Sequence, residues 1–187
     1  MKSFISILRG INVSGQKKIK MTELKELYES LKFSNVNTYI QSGNVVFCSD
    51  EKDVKKIQKQ IEQKIDAVYN FSVPIIILTA NKLKKIISDL PLKSTNIDLS
   101  KLAVTFLDST PNKTLVKNLD IFKGDQEKFI LSGDVLYLYC PDGFGRTKLT
   151  NNLFENKLKV TATSRNWKTT IKLFEMINEL DCGNNPN

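Results

Sequence analysis

Ile40-Gln-Ser-Gly-Asn-Val-Val-Phe47 and Ile130-Leu-Ser-Gly-Asp-Val-Leu-Tyr137 align without a gap at an offset of 90 residues. A Ser-Gly-Asn or Ser-Gly-Asp step between two β-rich runs reads as a tight hairpin, because Gly, Asn and Asp tolerate positive φ. Two hairpins in equivalent places point to an internal repeat.

The surroundings of the first hairpin supply the rest of a repeat unit. Residues 3–8 read as a strand, followed by a Gly- and Lys-containing loop over 10–20. A helix begins near Thr22 with Leu24, Leu27, Tyr28 and Leu31 on one face. The hairpin strands span 36–40 and 45–48. Ser49 or Asp50 caps a second helix whose Val54, Ile57, Ile61, Ile65 and Val68 recur at helical spacing, and 73–78 is a fourth strand.

The second half repeats this order. A strand spans 103–107, and Thr110-Pro111 opens a short helix. Hairpin strands cover 129–131 and 135–140, Leu149 and Leu153 mark a helix, and 158–162 is the last strand. A helix over 79–90 bridges the halves, and Pro91 to Asn96 forms the connecting loop. Thr163 or Ser164 caps a terminal helix carrying Trp167, Ile171, Phe174 and Ile177. The expected fold class is therefore α+β: a tandem duplication of two ferredoxin-like (βαββαβ, α/β-plait) lobes, residues 1–92 and 93–187, the second with a C-terminal helix.

The chain has 187 residues and 41% apolar composition, enough for packed cores and too apolar for disorder. It contains no histidine, which removes every mechanism that needs imidazole as base, proton shuttle or metal ligand. Its three cysteines, Cys48, Cys140 and Cys182, are odd in number and form no CxxC pair, so free thiols and a cytoplasmic setting are expected, with no metal and no cofactor. The first ten residues read as neither a signal peptide nor a membrane span. The polar tail from Cys182 to Asn187 is expected to fray.

Net charge is +8, and its placement is uneven. Residues 1–20 hold Lys2, Arg9, Lys17, Lys18 and Lys20 with no acid. Residues 146–172 hold seven cations against Glu155 alone. Only three of the 28 cations are arginines, Arg9, Arg146 and Arg165, each in a Gly- or Asn-containing stretch. Arginine offers a rigid fork for phosphate or carboxylate that lysine does not copy.

Topology turns this order into location. In the first lobe, the loop after the first strand and the hairpin tip share one sheet edge. In the second, the loops 143–148 and 163–167 share an edge, so Arg146 and Arg165 are expected to be neighbours at an anion site.

Ile7-Leu-Arg-Gly-Ile-Asn-Val13, Met21-Thr-Glu-Leu24, Tyr39-Ile-Gln-Ser-Gly-Asn-Val-Val-Phe47, Gly145-Arg-Thr-Lys-Leu-Thr-Asn-Asn152 and Ser164-Arg-Asn-Trp167 together resemble the bacterial domain-of-unknown-function family numbered 1697. The resemblance implies a two-lobed α/β plait and implies no activity. Family members often carry Gly where Ser14 stands.

The loop Gly10-Ile-Asn-Val-Ser-Gly-Gln-Lys17 stands where a phosphate-cradling loop would, but Gln16 occupies the lysine position of a P-loop and no Ser or Thr follows for magnesium. A looser nest of backbone N–H groups helped by Lys17 remains open. Arg9 and Asn12 beside the hairpin tip read either as a second polar site or as the turn's own wiring. Arg146, Lys148, Arg165, Asn166 and Trp167 form the main candidate: an electropositive, aromatic-edged site for a phosphate or a nucleotide base, or alternatively the anchor and ion pairs of the last helix. Aromatic residues at Phe4, Phe47, Tyr137 and Tyr139 leave open an RNA-binding sheet face, although the RRM motif is missing.

Three function classes follow. The first is a protein binding a phosphorylated or polyanionic ligand, nucleotide or nucleic acid included. The second is a histidine-independent transferase or hydrolase acting on a phosphorylated small molecule. The third is a protein-interaction module.

Overall fold

The run Ser3-Phe-Ile-Ser-Ile-Leu8 is rich in β-branched and aromatic residues and forms a central strand, β1 (Lys2–Leu8). The computed structural model describes residues 1–92 and 97–183. After β1 come α1 (Met21–Ser30), β2 (Ser34–Tyr39), β3 (Asn44–Ser49), α2 (Val54–Tyr69), β4 (Ile75–Thr79) and α3 (Ala80–Ser88). The second half runs β5 (Leu102–Leu107), α4 (Lys113–Lys117), β6 (Lys128–Ser132), β7 (Val135–Tyr139), α5 (Asn151–Leu158), β8 (Ala162–Asn166) and α6 (Trp167–Asn178).

The fold is mixed α+β with two four-stranded sheets, ordered β2-β3-β1-β4 and β6-β7-β5-β8. Every neighbouring pair is antiparallel. The chain packs as two compact units: Met1–Lys85 together with the residues from Lys172, and Ile86–Ile171. The expected boundary at 92/93 groups the C-terminal residues with the second half. Packing groups the residues from Lys172 with the first, to which the Cys48–Cys182 bond also joins them.

In the first unit, alternation along β1 sends Phe4 and Leu8 toward α1 and α2. They meet Leu24, Leu27 and Tyr28 of α1 and Ile57, Ile61 and Ile65 of α2. The Phe47 ring lies tilted against Phe33 at 4.7 Å and edge-on to Tyr28 at 5.4 Å, ring centre to ring centre. Burial of each such ring contributes about 2–3 kcal/mol. Ser6 lies on the same face and its hydroxyl is 2.6 Å from the Tyr28 hydroxyl, which satisfies both buried groups. Burial pushes the Tyr28 phenol well above its ordinary range.

The second unit builds a similar core from Leu107, Leu136, Leu138 and Ala162 of the sheet against Phe154 and Leu158 of α5. Its first helix is reduced to the five residues of α4, capped by Asn112, whose side chain accepts the Thr114 N–H at 2.8 Å. Thr110-Pro111 precedes that helix instead of opening it.

Several element ends differ from the sequence expectation. Asp53, not Ser49 or Asp50, caps α2, accepting the N–H groups of Lys55 and Lys56. The apolar stripe of α2 ends at Ile65, and Val68 is exposed. The last strand is 162–166, not 158–162. Helix α5 continues to Leu158, which it buries, and closes on Lys159 in the left-handed region at φ 59°. The cap of α6 is Asn166, not Thr163 or Ser164; its Oδ1 accepts the Thr169 N–H at 2.8 Å. Residues 93–96 of the expected connecting loop and 184–187 of the expected tail lie outside the described residues.

Cys48 and Cys182 are joined by a disulfide, which corrects the expectation of three free thiols and of fraying from Cys182. The two lie 134 residues apart in sequence, so no local spacing announces them. Cys140 is the free cysteine and is buried.

Candidate functional site

The first candidate region grows from the end of β1. The Leu8 N–H donates to the Gly43 carbonyl at 2.8 Å, which brings the loop after β1 against the β2–β3 hairpin tip. Gly43 has φ +74°, and a Cβ there would lie 2.7 Å from both Leu8 Cβ and Ile11 Cδ1, so only glycine fits. Ile11 and Ile19 are buried and pin the two ends of the loop to the core.

Asn12 joins these parts. Its Nδ2 donates to the carbonyls of Ile19 and Gln41, both at 2.9 Å, and its Oδ1 accepts the Ile19 N–H at 2.9 Å. All three bonds are internal, so Asn12 is the wiring of the turn. Lys17 donates from Nζ to the Ser72 carbonyl at 2.7 Å. Arg9 is half-buried, and its N–H donates to the Pro74 carbonyl at 2.9 Å.

The second candidate region lies at the edge where β7 ends and β8 ends. Loop 143–148 does meet the end of β8 there, but through residues other than the expected pair. Ser164, Asn166 and Thr147 line one cavity of about 360 Å³ together with Thr150, Asn151 and Phe144. Arg165 stands between Ser164 and Asn166 on a strand, so period-two alternation turns it to the other face. It is 8% exposed, and its Nη1 donates to Thr163 Oγ1 at 3.0 Å and to the Ser164 carbonyl at 2.9 Å. The expectation of an arginine in a loop fails because 163–166 is strand.

Asn166 spends its side chain on the α6 cap, and Trp167, the first residue of α6, is 9% exposed. Both fit the anchor reading of this cluster.

Arg146 and Lys148 differ from the rest. Both are exposed, and among the described residues neither side chain makes a hydrogen bond or ion pair. They line a separate cavity of about 460 Å³ with Lys123, Asp125, Glu127 and Asp142, and Arg165 is not among its lining residues. Three cations face three carboxylates there, so this cavity is electrostatically mixed rather than uniformly positive. Lys123 is already paired, at 2.8 Å from Asp120 Oδ1.

Sequence reasoning missed the neutral cavity on the α5 side. Thr105 Oγ1 lies 2.7 Å from Ser164 Oγ, and Ser164 Oγ donates to Asn151 Oδ1 at 2.7 Å. This chain of hydroxyls and amide runs to the first turn of α5, where the Thr150 hydroxyl oxygen accepts the Leu153 N–H at 3.2 Å. The Thr147-x-x-Thr150-Asn151 run was the available signal, hidden beside two more conspicuous cations.

Three of the four sheet aromatics, Phe4, Phe47 and Tyr137, are withdrawn from any RNA-stacking face, and Tyr139 is half-buried. Phe4 and Phe47 are in the core under the helices. Tyr137 is buried and donates from its hydroxyl to the Ile86 carbonyl at 2.7 Å. Burial pushes the Cys140 thiol up to about 11, so it is no nucleophile near neutral pH. Among the described residues no group of three or more Cys, Asp or Glu is placed to hold a metal ion. No helix among them is long and apolar enough to cross a membrane.

Two four-stranded antiparallel sheets with their helices define a two-unit α+β protein. Residues 1–137 match the family described as protein of unknown function (DUF1697), and the chain belongs to that family. The motifs at 145–152 and 164–167 lie beyond the matched span. The chain is similar to the conserved bacterial protein SP0830 from Streptococcus pneumoniae, with a TM-score of 0.75 and 21% identity over 94% of this chain and 98% of that one. That likeness concerns the fold alone. No curated protein matches the chain.

Proposed function

We propose that the protein binds a phosphorylated or polyanionic ligand, nucleotide or nucleic acid included, at the loop 143–151. The observation that carries this reading is the pair Arg146 and Lys148, exposed on one loop with no partner for either side chain among the described residues. Thr147 lies between them and lines both neighbouring cavities, its hydroxyl oxygen accepting the Leu149 N–H at 2.9 Å and so holding the loop that carries the two cations. The first turn of α5 adds backbone N–H groups to the same corner. Arg165, Asn166 and Trp167 then hold the scaffold of the site instead of touching the ligand, and Arg9, Asn12 and Lys17 hold the loop after β1 in the first unit.

The two sheets are read as duplicated ferredoxin-like lobes, 1–92 and 93–187, in a cytoplasmic protein. The equal strand order in both sheets and the ungapped hairpin repeat support the duplication.

Both the binding and the enzyme readings expected Arg146 and Arg165 together, and the Arg146 cavity lacks Arg165, so the binding reading rests on Arg146 and Lys148 without it. The interaction-module reading has one observation in its favour: Ile121, at the rim of the same cavity, is 81% exposed.

The test is calorimetric titration with pyrophosphate, a nucleoside triphosphate and a short single-stranded oligonucleotide. Binding that weakens at least tenfold in Arg146→Ala/Lys148→Ala supports the reading. Equal binding by the double variant, or none by the parent protein, overturns it. A flat response of log K to log salt removes the nucleic-acid version.

A further inference from the structure

The C-terminal residues of the first unit are fastened to its sheet by one covalent bond, Cys48–Cys182. Cys48 lies on β3 next to Phe47, and alternation places it on the sheet face opposite the α1–α2 core, fully buried. Cys182 is half-exposed. The segment between α6 and Cys182 has few other holds. Asn35 Nδ2 donates to the Asp181 carbonyl, Leu180 is half-buried, and Glu179 and Asp181 are exposed. Leu180 and Asp181 also form the shared wall of two cavities. One, about 390 Å³, runs to Met1 and Thr79; the other, about 470 Å³, runs to Lys25 and Asn37.

We propose that Cys48–Cys182 is a redox-operated fastener for a C-terminal strap over residues 179–183. Closed, the strap separates the two cavities. Reduced, it swings free and the two cavities become one open groove across the end of the sheet, from the start of β1 and the end of β4 to β2.

The chemistry is thiol–disulfide exchange with a low-molecular-weight thiol/disulfide couple of the glutathione class. For opening, a thiolate attacks Sγ of Cys182, the less buried of the two cysteines, forming a mixed disulfide and expelling Cys48 as a thiolate that takes up a proton. A second small thiol then attacks the mixed disulfide, releasing Cys182 as a thiol and the small-molecule disulfide. Closing is the reverse: two protein thiols are oxidised while one small disulfide is reduced to two thiols. Burial shields Cys48 from direct attack, so Cys182 is the entry point in both directions. Segments with few buried contacts open at low free energy, so the covalent bond decides the state of this strap while the core stays intact.

The experiment uses the full chain. After incubation with glutathione disulfide and denaturation, thiol titration is expected to find one free thiol, Cys140, and three after dithiothreitol. Hydrogen exchange of amides 179–183 is expected to be at least tenfold faster in the reduced protein, with β3 and α2 unchanged. Cys182→Ser is expected to exchange quickly under both conditions. Three free thiols after the oxidising incubation overturn the proposal. So does equal strap exchange in the two states. Faster exchange spreading to β3 and α2 overturns it as well, because the bond is then a staple of the whole unit.

Discussion

Asn12 grips Ile19 by both ends of its amide, Oδ1 to the N–H and Nδ2 to the carbonyl, each at 2.9 Å. The same Nδ2 reaches the Gln41 carbonyl, so one side chain closes the 12–19 loop and ties it to the hairpin tip. Asn12→Ala leaves those backbone groups without their partner and is expected to lower stability by about 1–3 kcal/mol in urea unfolding. A residue whose business is only ligand contact would change stability by less than about 0.5 kcal/mol when truncated.

The two hairpin glycines are equivalent in sequence and unequal in space. A Cβ on Gly43 meets Leu8 Cβ and Ile11 Cδ1 at 2.7 Å, whereas a Cβ on Gly133 meets nothing within 4 Å. Both have positive φ, +74° and +62°. Gly133→Ala is expected to cost about 1 kcal/mol from backbone strain alone. Gly43→Ala adds overpacking and is expected to cost about 3 kcal/mol or more. Parallel thermal melts compare them directly, and equal losses would contradict the close approach at Gly43.

The arginines separate by role. Arg146→Ala is expected to leave stability within about 0.5 kcal/mol, since the side chain is exposed and unpaired among the described residues. Arg165→Ala removes a buried stem and its bonds to Thr163 and the Ser164 carbonyl, and is expected to cost about 2 kcal/mol. Chemical denaturation of the two variants checks the order, and anion titration checks that only the first changes binding directly.

Cys140 sets a pH dependence at the alkaline end. Burial raises its thiol from 9.0 to about 11, against a hydrogen bond from Thr147 that lowers it. The folded state therefore holds the proton that the unfolded chain releases. The associated stability is fully present below pH 9 and is lost as pH rises from 9 through 11. Stability of the parent protein is expected to fall more steeply over that window than stability of Cys140→Ala. Alkylation by iodoacetamide at pH 8 is expected to need prior unfolding.

Legibility along the chain followed the range of the interaction. Strands β1, β3 and β7 and helices α1 and α2 were readable, because their side chains repeat at periods of two or 3.6 against one core. Strand β8 was not: Ala162-Thr-Ser-Arg-Asn166 has no apolar alternation and is a strand because it pairs with β5. Leu158 and Val160 drew the expected strand too early, since an apolar residue ending a helix looks like one starting a strand. That four-residue displacement moved Arg165 out of a loop, and with it the expected meeting with Arg146.

Local sequence alone determined the two hairpins, their repeat, the absence of imidazole chemistry and the crowding of cations into two segments. Those are properties of residue type and of spacing below about one helix length. Tertiary structure alone decided which face Arg165 takes, that Asn166 caps a helix, that Arg146 and Lys148 stay unpaired among the described residues, and that Cys48 finds Cys182 across 134 residues. Strand pairing and chain closure bring distant residues together, and no local pattern encodes a partner that far away.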